Sequence, residues 1–167
     1  MSTHRGLDQI WLVITPHNPH KNKASLAKDF DRLHLVRISI EGNSALRASD
    51  IEFNLPKPSY TIDTLAFLKE RYPDDNFALI MGGDNVASLP KWKNYQAILA
   101  DHDIYVYQRP SYDLGELAGH PRIKIVEAPL LDISSSYIRK RIKQKESIRY
   151  LVRDEVFDYI DGSNMYQ

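Results

Sequence analysis

Short apolar runs, separated by polar stretches that carry proline or glycine, organise this chain. Ile10-Trp11-Leu12-Val13-Ile14-Thr15 is rich in β-branched and aromatic residues and is stopped by Pro16-His17-Asn18-Pro19, which predicts a buried strand. A polar loop follows over Pro16 to Lys23. From Ala27 to Ile40 the residues Phe30, Leu33, Leu35, Val36, Ile38 and Ile40 fit a helix that ends at Gly42. Leu46 to Phe53 reads as a strand, and Asn54 to Ser59, with Pro56 and Pro58, as a loop. The stripe Ile62, Leu65, Ala66 and Leu68 predicts a helix over Thr61 to Tyr72, closed by Pro73. Phe77 to Met81 predicts a strand between Asp75-Asn76 and Gly82-Gly83. Asp84 to Leu89 predicts one or two helical turns, Tyr95 to Ala100 a short helix, and Asp103 to Gln108 a strand. Arg109 to Pro121 reads as a polar loop, Arg122 to Glu127 as an alternating strand, and Ser134 to Lys145 and Arg153 to Ile160 as helices.

Strands that alternate with helices, and that are themselves continuous apolar runs, predict an α/β fold. Its sheet is mostly parallel, with helices on both faces. The 167 residues show no internal repeat or linker and read as a single domain over 1–167, long enough to bury roughly 70% of the unfolded surface. The 22 Lys and Arg balance the 22 Asp and Glu, so the chain lacks the basic excess of a nucleic-acid or polyanion binder. With no cysteine it has no disulfide framework, thiolate metal site or cysteine nucleophile. The longest clean apolar run, Ile10 to Ile14, falls far short of the ~20 residues of a membrane helix, and the first residues lack the apolar core of a signal peptide. A cytoplasmic protein is the reading, with no membrane or nucleic-acid partner and with a homo-oligomer left open.

In parallel sheets ligands sit outside the carboxyl ends of the strands, so the residues after Thr15, Met81, Gln108 and Glu127 are the candidates. His17, His20 and Lys21 follow the first strand; they suit phosphate oxygens or a solvated turn, and too few ligands stand near for zinc. Gly82-Gly83-Asp84 gives close backbone approach, with Asp84 either an N-cap or a carboxylate for sugar hydroxyls or a metal. Trp92, between Lys91 and Lys93, suits either stacking on a flat ligand or ordinary core packing. In Ile133-Ser134-Ser135-Ser136-Tyr137-Ile138-Arg139, three hydroxyls open a helix and Arg139 shares the face of Ser135 and Ser136. That is more than a cap requires and points to phosphate, while Lys140, Arg141, Lys143 and Lys145 suit a solvated basic face. Neither a Walker loop nor Gly-x-Gly-x-x-Gly is present.

These residues resemble the bacterial nicotinate mononucleotide adenylyltransferases of the nucleotidyltransferase superfamily. The run from Ile133 to Arg139 looks like the superfamily's Ile-Ser-Ser-x-x-Ile-Arg signature. Pro58-Ser59-Tyr60-Thr61-Ile62-Asp63-Thr64, Met81-Gly82-Gly83-Asp84 and Lys91-Trp92 look like marks of the nicotinate branch, in the family's order, within a likeness running from about Leu7 to Tyr166. The resemblance implies a Rossmann-like nucleotidyltransferase fold and transfer of AMP from ATP, with Mg2+, to nicotinate mononucleotide. It places His20, Lys21, Gly82, Asp84, Ser134, Ser135 and Arg139 on ATP. Tyr60, Thr61, Trp92 and Arg109 fall on the pyridine nucleotide, with no metal-ligating residue. The family opens with a strand and a Gly-x-Phe-x-Pro-x-His-x-Gly-His loop, whereas this chain opens Met1-Ser2-Thr3-His4-Arg5-Gly6, like the end of the helix after that loop. A late start, a fragment and a non-catalytic remnant are the three readings of that departure, so no catalytic residue is assigned. The strand expected to be missing is central and leaves two strand edges unpaired. Another small-molecule adenylyltransferase, such as the phosphopantetheine enzyme, is the nearest alternative.

Overall fold

The computed structural model describes residues 6–16, 27–107, 115–127, 129 and 133–166. The elements run β1 (Ile10–Val13), α1 (Asp29–Ser39), β2 (Leu46–Ser49), α2 (Thr61–Arg71), β3 (Leu79–Gly82), α3 (Gly83–Ser88), α4 (Tyr95–Asp101), β4 (Ile104–Tyr107), β5 (Ile123–Val126), α5 (Ser135–Lys143) and α6 (Asp154–Asp161). Three 3-10 turns, at Ile51–Asn54, Leu89–Lys91 and Gly115–Leu117, complete the described path. The α/β alternation predicted from the apolar runs is present, and every strand pairing among the described residues is parallel.

The chain divides into two compact units, Met1–Ser59 with Asp132–Gln167, and Tyr60–Leu131. In the first unit β1 and β2 form a two-stranded sheet, with Ile10 opposite Leu46 and Val13 opposite Ser49. Helices α1, α5 and α6 and the segment between α5 and α6 supply its apolar cluster, in which Ile148, Val156 and Ile160 are buried and Leu35, Ile38, Ile138 and Ile142 pack around them. Ile138 and Ile142, four residues apart, are one stripe of α5, so the opposite stripe faces outward. In the second unit the sheet order is β3-β4-β5, with Gly82 opposite Tyr107 and Tyr107 opposite Val126. Its core holds Leu65, Met81, Val86, Leu89, Ile98, Ile104 and Val106, and it aligns the carboxyl ends of β3 and β4.

Three expectations are corrected. The strand expected over Leu46 to Phe53 ends at Ser49 and continues as the 3-10 turn. There the Ser49 hydroxyl accepts the Ile51 amide (3.4 Å) and the Asp50 carbonyl accepts the Phe53 amide (2.8 Å), so local bonds replace the ladder. The strand expected from Phe77 begins at Leu79, because the Phe77 carbonyl faces the His102 ring (2.8 Å) and its side chain packs against the core and Tyr72. Regular alternation in β5 fails, with Ile123 and Val126 buried and Ile125 44% exposed, on a strand that pairs with β4 alone among the described residues.

Candidate functional site

In the first unit α5 begins where Ser134 stays extended (φ −107°, ψ 151°) and its Oγ accepts the Tyr137 amide at 3.1 Å. Ser134 is therefore the N-cap, and the amides of Ser135 and Ser136 stay without intrahelical partners, as first-turn amides do. Arg139 lies one turn on and donates from Nη2 to Ser136 Oγ at 3.3 Å. All three serines are exposed. A capped helix start with spare donors and a guanidinium on the same face is suited to an anion. Arg141 is otherwise engaged: it pairs with Glu146 (3.3 Å) and donates to Tyr137 Oη and the Ser147 carbonyl (both 3.1 Å), so it stands apart from the solvated face expected of it.

In the second unit, Gly82 ends β3 and caps α3 through its extended backbone (φ −80°, ψ 161°). The capping role open to Asp84 therefore falls to Gly82, and Asp84, second in the helix, keeps an exposed carboxylate. A Cβ at Gly82 would lie 2.5 Å from Asp84 Oδ1 and 3.1 Å from Tyr107 Oη, so a larger residue there would displace the Asp84 carboxylate and press on the Tyr107 ring. Tyr107, which sequence reading did not single out, closes β4 opposite Gly82; its signal was its place as the last apolar residue of a strand.

Tyr60, 38% exposed, precedes α2, and Thr61 opens that helix. Trp92 is half-buried and packs against the core with Ile62 and Tyr95, so the core reading holds for part of its surface while the remainder stays open. Its neighbour Lys93 joins the two segments. The ammonium sits 4.9 Å from the Tyr60 ring centroid and pairs with Asp63 at 2.9 Å. Lys93 and Asp63 are not among the site residues expected from sequence, although Asp63 lies inside the Pro58–Thr64 motif and Lys93 directly follows Lys91-Trp92. Just before Tyr60, Ser59 donates to Glu52 at 2.8 Å, and both residues are buried within the first unit. His20, Lys21 and Arg109 lie outside the described residues.

Among the described residues no three His, Asp or Glu side chains gather as a metal site. No helix of the described residues is long and apolar enough to cross a membrane.

Comparison with known proteins places these features in context. Residues 2–141 match the cytidylyltransferase-like family model. The chain is 49% identical to a probable nicotinate-nucleotide adenylyltransferase of Flavobacterium psychrophilum, with 100% of this chain and 88% of the relative covered. It is 34% identical to a protein of the same name from Bacillus licheniformis, over 96% of this chain and 84% of that one. Among solved structures it resembles the Plasmodium falciparum nicotinic acid mononucleotide adenylyltransferase complexed with NaAD. The TM-score there is 0.80 at 23% identity, covering 99% of this chain and 85% of that one.

Proposed function

This chain belongs to the nicotinate-nucleotide adenylyltransferase family, within the cytidylyltransferase-like proteins, and from that membership we propose that it transfers AMP from ATP to nicotinate mononucleotide. The products are nicotinate adenine dinucleotide, on the way to NAD, and pyrophosphate. The observation that carries this reading is the 49% identity across the whole chain. The phosphate of nicotinate mononucleotide attacks the α-phosphorus of ATP. A new oxygen–phosphorus bond forms, the bond from the α-phosphorus to the bridging oxygen breaks, and pyrophosphate leaves with that electron pair. No covalent enzyme intermediate is required, so the protein positions the reactants and stabilises charge.

Ser135 and the free amides of the α5 start suit the ATP phosphates, with Ser134 fixing the helix start and Arg139 adding positive charge. His20 and Lys21 are assigned to the same phosphates. Gly82 allows the adenylate moiety to approach the backbone, and Asp84 suits the ribose hydroxyls. Tyr60, Thr61 and Trp92 suit the pyridine nucleotide, the free part of Trp92 stacking on the ring; Arg109 adds charge there. ATP enters as its magnesium complex, the ion held by phosphates and water.

The test is acceptor choice. ATP and Mg2+ are incubated with the chain and with nicotinate mononucleotide, nicotinamide mononucleotide or phosphopantetheine, and dinucleotide formation is followed chromatographically. Turnover with the nicotinate acceptor is the expected result. Preference for phosphopantetheine, or turnover with none, contradicts the proposal.

A further inference from the structure

Two segments of the second unit meet at one ammonium. Tyr60 and Asp63 belong to the start of α2, and Lys93 lies between the 3-10 turn at Leu89–Lys91 and α4. Lys93 Nζ donates to both Asp63 carboxylate oxygens, at 3.0 and 2.9 Å, and stands over the Tyr60 ring, 4.9 Å from its centroid. Asp63 is in the first turn of α2, where the helix dipole favours a carboxylate. The side chains of the pair are 44% and 42% exposed, so the ion pair adds little to stability. Its consequence is the placement of a ring.

Each segment is set by its own backbone. Tyr60 stays extended (φ −115°, ψ 148°), and its carbonyl accepts the Asp63 amide at 2.9 Å and the Thr64 amide at 3.1 Å. Thr64 Oγ1 donates to the same carbonyl at 3.2 Å. These bonds hold the Tyr60 main chain but not its ring, which is part of a residue 38% exposed. On the other segment the Trp92 amide donates to the Leu89 carbonyl (2.9 Å), and Asn94 adopts φ 50° as α4 begins. Lys93 is thus carried between two constrained neighbours. Ile62 and Trp92, beside the paired residues, both pack on the unit's core. An ammonium over an aromatic face is attracted by the ring quadrupole, so Lys93 restrains the one part of Tyr60 that the backbone leaves free.

We infer that Lys93 is a positioning residue for acceptor binding: locked by Asp63, its ammonium holds the Tyr60 ring as a preformed wall for the pyridine nucleotide. The inference rests on the acceptor reading of Tyr60 and deepens it. Lys93 acts through the ring and Asp63 acts through Lys93, and neither is a binding group for the ligand. A ring already fixed in place loses little torsional freedom when the acceptor docks, so the clamp favours binding without altering the transfer step. Its signature is a change in KM for the acceptor with kcat unmoved.

The test combines steady-state kinetics of the full chain with calorimetric titration by nicotinate mononucleotide. Lys93→Met is expected to raise both KM and Kd for nicotinate mononucleotide roughly fivefold. Its kcat and its KM for ATP should stay within about twofold of wild type. Asp63→Asn shifts the acceptor KM in the same direction by less, and keeps the test open should Lys93→Met fail to fold. Lys93→Arg restores the wild-type KM, because a guanidinium can keep both the forked bond to Asp63 and the ring contact. In a Tyr60→Leu background Lys93→Met should add less than about twofold, because the ring it holds is gone. An unchanged acceptor KM in Lys93→Met or Asp63→Asn, a loss confined to kcat, no rescue by Lys93→Arg, or an undiminished effect in the Tyr60→Leu background each overturn the inference. A wild type that makes dinucleotide while Lys93→Met binds the acceptor normally removes the clamp and leaves the activity. A wild type whose acceptor affinity depends on Lys93 through Tyr60, but which makes no dinucleotide, removes the activity and leaves the clamp. No acceptor binding by the wild type overturns both.

Discussion

Ser134 and Ser135 are adjacent and alike, yet the structure gives them different work. Ser134 caps α5 with a 3.1 Å bond from the Tyr137 amide, whereas Ser135 makes no side-chain hydrogen bond among the described residues. Ser134→Ala should therefore lower unfolding free energy by about 1 kcal/mol in urea titration. Ser135→Ala should stay within about 0.5 kcal/mol of wild type while weakening ATP binding. Equal effects of the two changes on stability would contradict this division. Trp92→Ala should weaken nicotinate mononucleotide far more than ATP, read as the ratio of the two affinities; equal loss for both would make Trp92 a core residue only. The serine run was legible in sequence because capping and anion binding both act within one helical turn. Lys93 and Tyr107 were not, because each acquires its role from a partner distant in sequence: Tyr60 and Asp63 for Lys93, Gly82 for Tyr107.

At the scale of elements, apolar runs located every described strand and helix, and errors collected at their ends. The end of α5 shows why. Lys145 adopts φ 57°, its amide bonds to the Ile142 carbonyl (2.9 Å), and the Glu146 amide bonds to the Arg141 carbonyl (2.9 Å). This is the left-handed termination that glycine usually occupies, here carried by a lysine that reads as one more helical residue. Lys145→Gly relieves the strain of a side chain in that region and should raise stability by up to about 1 kcal/mol. A loss of stability in chemical denaturation would show that unfolded-state freedom outweighs the strain. β2 failed similarly: hydroxyl and carbonyl bonds near Ser49 turned an apolar run away from its sheet, a competition that periodicity does not register. Strand pairing, by contrast, follows from alternation with helices, which is why its parallel sense was predictable.

For the molecule as a whole, the balanced charge conceals local order. Asp103, near the start of β4, accepts hydrogen bonds from Lys124 and then Arg122, which hold its carboxyl below the usual value despite opposing desolvation. A carboxyl lowered on folding stabilises the native state above its unfolded value of 3.8, and that contribution is lost as pH falls through the folded one. Asp103→Asn should flatten the acid limb of the stability profile below about pH 4; an unchanged limb would assign it to other carboxylates. The first unit bears the anion-suited helix start and the second the aromatic and glycine-lined segments, and the adenylyl transfer of this family asks a scaffold only to position reactants and stabilise charge. The phosphorus nuclei report that claim most directly. ³¹P NMR of this chain with ATP, Mg2+ and nicotinate mononucleotide should show the ATP resonances replaced by those of nicotinate adenine dinucleotide and free pyrophosphate in equal amounts. ATP that persists unchanged, or that yields pyrophosphate and AMP without dinucleotide, would contradict it.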